Sequence, residues 1–132
     1  MINFFNKYKI IFYFINICLI FIYLFPGSIF GCIFLKNCKV QPQITPDLAF
    51  ISSNHFYVFV LVTAVGFQSF AKKNQTKFLI VYLVFLSMIL EIFHLIIPER
   101  SFQWSDLFRN LLGVITVILI NNLINKYGIS KK

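Results

Sequence analysis

The stretch "FLIVYLVFLSMILEIFHLII", Phe78 to Ile97, decides the fold. It is 20 residues long and ends at Pro98, and only Glu91 can carry a full charge within it besides the titratable His94. A helix needs about 20 apolar residues to cross the hydrocarbon core of a bilayer, and about 17 suffice. The run is continuous rather than alternating, which selects a helix over a barrel strand. The rest of the chain has the same character: 59% of its 132 residues are hydrophobic, 19% aromatic and only 12% charged. A soluble domain carries about a quarter of its residues as charge. The chain therefore reads as a single integral membrane domain, with its backbone paired inside helices.

Three further apolar runs flank the first: "IIFYFINICLIFIYLF" from Ile10, "HFYVFVLVTAVGFQSFA" from His55 and "LFRNLLGVITVILINNLI" from Leu107. The fold class is all-α, a four-transmembrane-helix bundle with helices near 10–26, 55–71, 78–97 and 107–125 and an external loop over 27–54. That loop contains "QPQITPD" and reads as extended. The first run begins after Lys7 and Lys9, and a signal peptide with "IFGC" (Ile29 to Cys32) as its cleavage site competes with a retained helix. Bulky Phe30 fits such a site poorly, and the run is long for a signal, so it counts as the first span.

The net charge of +8 does not mark a nucleic-acid protein. Lys7, Lys9, Lys72, Lys73, Lys77, Lys126, Lys131 and Lys132 fall in the two ends and the 72–77 loop, whereas only Lys36, Lys39, Arg100 and Arg109 fall on the other side. The positive-inside rule then puts both termini in the cytoplasm. A multi-pass membrane protein follows, with membrane lipids as its surroundings. Cys18 sits in an apolar run as a small hydrophobe. Cys32 and Cys38 could pair outside the cell, and neither has a metal-ligand spacing with the histidines.

The ionic groups are not spread evenly. Glu91 to Gly113 holds three of the four carboxylates, both arginines and one of the two histidines. On this topology His55, Glu91, His94, Arg100, Asp106, Arg109 and Asn110 converge at the outer level of the membrane as a candidate polar pocket. Glu91 and His94 share a helix face at i, i+3, and Asp106, Arg109, Asn110 and Gly113 share another at i, i+3, i+4 and i+7. Gly113 lets a neighbouring helix approach closely. A charged acid in lipid costs at least about 2.5 kcal/mol at the bilayer centre, so Glu91 must be partnered or protonated. Arginine grips carboxylates with a planar fork, which suggests Arg100 on Glu91 or Asp106, and Arg109 on Asp106 or Glu99. Trp104, the only tryptophan, would sit at headgroup level. The bland alternative is an ion network that only staples two helices together.

The pattern E-x-x-H-x-x-x-P-x-R-S-x-x-x-x-D-x-x-x-N-x-x-G, carried by Glu91, His94, Pro98, Arg100, Ser101, Asp106, Asn110 and Gly113, resembles the signature of VanZ-like membrane proteins over roughly residues 45 to 125. His55 and Phe56 match part of that family's second-helix element, without the preceding lysine. His94 stands where glutamine is usual, and Glu99 replaces a loop glycine. The resemblance implies a small helical bundle in a bacterial envelope and a link to resistance to the glycopeptide teicoplanin. It assigns no reaction.

Two functions follow. In the first, the outward pocket binds an amphiphile such as a lipid-linked precursor or a glycopeptide. In the second, the chain is a membrane-embedded enzyme acting on an envelope lipid or peptidoglycan precursor, with Glu91 as base and His94 as acid. There is no activated serine or cysteine, no phosphate-cradling glycine loop and no HExxH, so no catalytic residue is assigned. A channel would need oligomers to form a pore. Glu91 and His94 with one more ligand could hold a metal, but two residues at i, i+3 do not make a site, and no metal or cofactor is expected.

Overall fold

A computed structural model describes residues 4–45, 54–70 and 72–128. The protein is all-α. Among the described residues five helices follow one another: α1 (Phe4–Leu24), α2 (Ile29–Leu35), α3 (Asn54–Ser69), α4 (Lys73–Phe93) and α5 (Trp104–Tyr127).

Two of them are long and apolar enough to cross a membrane, α4 over Asn74–Phe93 and α5 over its whole length. The α1–α2 pair, bent by 81° at its break, makes a third candidate. The break falls at Pro26-Gly27, where proline cannot continue the ladder and Gly27 takes a positive φ of 75°. α3 has 16 residues, about 24 Å of helix at 1.5 Å per residue, short of a core about 30 Å thick.

Helix boundaries differ from the apolar runs. α1 begins at Phe4 rather than Ile10, and α4 begins at Lys73 rather than Phe78. The residues added, such as "KNQTK", are polar but helix-compatible. α4 stops at Phe93 rather than Ile97, with His94 as its C-cap, and Leu95 to Ile97 turn out of the helix through short i→i+3 and i→i+4 bonds.

The 27–54 loop is not extended throughout. Ser28 caps α2, its Oγ accepting the Gly31 N–H at 3.0 Å, as serine does at helix starts. Lys36 closes that helix in the left-handed region. A disulfide joins Cys32 of α2 to Cys38. Pro46 and Asp47 of the expected extended stretch lie outside the described residues, as does Ala71 at the end of the second run.

The buried core is small: Phe59, Val62, Leu83, Leu90 and Val114, with Phe12, Leu19 and Tyr23 from α1. α3 is the centre of the packing and meets α5 most extensively, then α1. A Cβ at Gly113 would lie 2.7 Å from Phe56 O and 2.9 Å from Phe59 Cβ, so the α3 and α5 backbones nearly touch there. The outside is apolar as well. Phe14, Ile17, Phe21, Phe78, Phe85 and Leu119 are all exposed, a surface that suits hydrocarbon rather than water.

Candidate functional site: a buried polar cluster

The break after α1, the start of α3, the end of α4 and the start of α5 come together at one end of the molecule. α4 turns Glu91 and His94 inward, both fully or almost fully buried. α5 turns Asn110 and Gly113 inward on the same stripe that carries Asp106 and Arg109. α3 contributes His55 and α1 contributes Tyr23, also buried.

Tyr23 ties the group together. Its hydroxyl donates to Asn110 Oδ1 at 2.9 Å and lies 3.0 Å from His55 Nδ1. Its ring stacks on His94 with centroids 5.7 Å apart and meets His55 edge-on at 5.1 Å. The hydroxyl has one hydrogen, spent on Asn110, so the His55 Nδ1 carries the hydrogen it shares with the tyrosine oxygen. The other ring nitrogen, His55 Nε2, lies 3.7 Å from Asp106 Oδ2.

Each carboxylate is held by one oxygen. Glu91 Oε1 accepts the Gln103 N–H at 3.0 Å and lies 3.4 Å from His94 Nδ1. Glu91 Oε2 has no hydrogen-bond partner among the described residues although the side chain is fully buried. Asp106 Oδ1 accepts from Arg109 Nη1 at 2.9 Å. On the other ring nitrogen of His94, Nε2 lies 3.2 Å from the Tyr23 carbonyl, an acceptor only.

Arg109 thus takes Asp106, one of its two expected partners. Glu99 pairs instead with Lys39 at 3.7 Å in the open. Arg100 grips no carboxylate among the described residues. Its Nε donates to Phe25 O at 3.3 Å, one Nη to Ile22 O at 3.2 Å and the other to Gln41 Oε1 at 3.3 Å. The reason lies in α1: the last carbonyls of a helix lack partners within it, and the break at Pro26 leaves them within reach of a guanidinium. A cation also suits the negative end of a helix. Burial lowers the Arg100 pKa from its ordinary value, while the neighbouring acidic groups oppose that shift; the guanidinium stays charged at neutral pH.

The residues predicted from sequence, His55, Glu91, His94, Asp106, Arg109 and Asn110, therefore stand together, with Arg100 at the margin. Tyr23 and the Gln103 amide were not foreseen. Tyr23 lies three residues before Pro26, at the same level as the ionic groups, and that level was its only signal.

Beside the cluster runs a part-enclosed cleft of about 480 Å³. Its walls are apolar, with Phe14 and Cys18 of α1, Phe30 and Phe34 of α2, and Leu61 of α3. Tyr23, His55 and Arg100 line it as well.

No family model matches the chain, and neither a curated protein nor a solved structure is significantly similar to it.

Proposed function

We propose that the chain is a VanZ-like protein of the bacterial envelope with four spans and both termini in the cytoplasm, and that its outward-facing polar pocket binds an amphiphile. The observation that carries this reading is the cleft: one continuous surface has aromatic and aliphatic walls and bears Tyr23, His55 and Arg100. A ligand that fits has an apolar tail and an anionic head, as a lipid-linked envelope precursor or a lipoglycopeptide does. Arg100, already directed by two backbone carbonyls, presents its charge to the head. The four-span topology rests on the lysine distribution and the four apolar runs. The teicoplanin link rests on the motif resemblance alone.

Purified protein reconstituted in phosphatidylcholine vesicles, with and without a polyprenyl phosphate, tests the pocket. Trp104 begins α5, two residues before Asp106, and its fluorescence reports binding. The expected result is a saturable change with the polyprenyl phosphate, weakened by Leu61→Trp in the cleft wall and by Arg100→Lys. Binding unaffected by both substitutions refutes the pocket. For the phenotype, Arg100→Lys expressed at wild-type level should reduce any teicoplanin tolerance that the wild type confers.

An enzymatic reading keeps one specific observation, the partnerless oxygen on buried Glu91 with His94 beside it. A general base needs such an atom within reach of its proton. Glu91→Gln would abolish turnover of a lipid precursor on this reading and leave binding intact.

A further inference from the structure

We infer that His55, Glu91 and Asp106 form a binding site for a divalent first-row metal ion such as Zn²⁺. One donor atom from each lies within 4.8 Å of one from each of the others. The three come from α3, α4 and α5, which is why no local spacing announces them. His94, at i+3 from Glu91, is not among them.

The way each side chain is held supports the assignment. His55 is fixed through Nδ1 by Tyr23 and Asn110, and its Nε2 faces Asp106. Glu91 is fixed through Oε1 by the Gln103 amide, and its Oε2 has no partner among the described residues. Asp106 is fixed through Oδ1 by Arg109, and its Oδ2 lies 3.7 Å from His55 Nε2. All three thus use one atom for support and carry a second that can act as a ligand. Metal-binding histidines are oriented in this way, through a hydrogen bond from the other ring nitrogen.

The geometry also leaves room for a cation. His55 Nε2 and Asp106 Oδ2 face each other at 3.7 Å, and a metal ion between them would take a lone pair from each. That distance is too long for a hydrogen bond. Metal bonds of about 2.0–2.1 Å at tetrahedral angles set donor atoms about 3.4 Å apart. The spread seen here closes to that with movements of about 1.5 Å or less, within reach of side-chain rotation. Imidazole with carboxylates suits zinc, iron or manganese, whereas copper(I) would prefer thiolate. Three protein ligands leave a coordination position open, available to a phosphate oxygen. That last role rests on the amphiphile reading; the ion does not.

The test uses the full chain in detergent, stripped with EDTA, desalted, and titrated with ZnCl₂ in competition with a chromogenic chelator. Bound zinc is counted by elemental mass spectrometry. About one Zn²⁺ per chain is expected, with an affinity loss above about 100-fold in Asp106→Asn and in Glu91→Gln, and about 10-fold in Tyr23→Phe, which only frees the imidazole. Helical circular dichroism and a single gel-filtration peak qualify each variant as folded. Should a variant not fold, the wild type decides alone: Zn²⁺ should raise its Tm, and EDTA should reverse the rise. Monodisperse wild type that retains no zinc and shows no Tm shift overturns the inference. So does equal affinity in folded Asp106→Asn, because the ion then sits elsewhere. No lipid is present, so failure here leaves the amphiphile pocket standing, and failure of vesicle binding leaves the metal site standing.

Discussion

The hydroxyl of Tyr23 reaches Asn110 Oδ1 at 2.9 Å across 87 residues of chain. The bond joins the last turn of α1 to the first turns of α5. It sits in a dry environment, where an unmade polar contact costs more than it would in water. Tyr23→Phe keeps the ring stacked on His94 and removes only the oxygen. Asn110, already with an unpartnered Nδ2, then loses its best partner. The expected loss is about 1–3 kcal/mol, read as a lower Tm in detergent. A Tm equal to wild type would mean that water replaces the hydroxyl and that the network is not dry.

Arg100 offers a second test. Removing it exposes the Ile22 and Phe25 carbonyls at the end of α1. Hydrogen bonds from a charged donor contribute about 1.5–3 kcal/mol, so Arg100→Ala should lower stability by that order. Arg100→Lys keeps the charge but not the fork, and should recover about half. Full recovery by lysine would show that charge near the helix end matters and that the paired geometry does not.

Gly113 predicts a steric effect. A methyl group there would sit against the Phe56 carbonyl and the Phe59 Cβ, neither of which can rotate away. Gly113→Ala should push α3 from α5 and cost about 1–3 kcal/mol. The better helix propensity of alanine returns about 1 kcal/mol, so the net change in Tm stays negative. A stabilised variant would contradict the close approach.

The Cys32–Cys38 disulfide and half-buried Cys18 make orientation measurable. In intact cells a membrane-impermeant maleimide should label two thiols only after an external reductant is added, and Cys18 should stay unlabelled. Labelling of Cys32 and Cys38 only after lysis would invert the proposed topology, and with it the outward direction of the pocket.

Much of the site was legible because α-helical spacing is local. Glu91 with His94, and Asp106 with Asn110 and Gly113, declare shared faces from their numbers alone. What spacing cannot express is a partner on the backbone. The carbonyls that Arg100 grips and the Gln103 amide that holds Glu91 belong to every sequence and mark none. Tyr23 was hidden for a different reason: in a run of Phe and Ile, a tyrosine looks like one more aromatic ring. α2 was missed although Ser28 stands at its start, because two prolines downstream argued for an extended loop. The early start of α4 at Lys73 was masked by polar residues that interrupt an apolar run without breaking a helix.

The grip of Arg100 on α1 also orders events in time. The carbonyl of Phe25 emerges from the ribosome 75 residues before the guanidinium that satisfies it. Throughout that interval the nascent first helix has an unfinished end, left to solvent, lipid headgroups or a chaperone. Closure waits until the α4–α5 connection has been made. A chain truncated before residue 100 should therefore fail as a membrane insertion product even though its first four helices, α1 to α4, are complete.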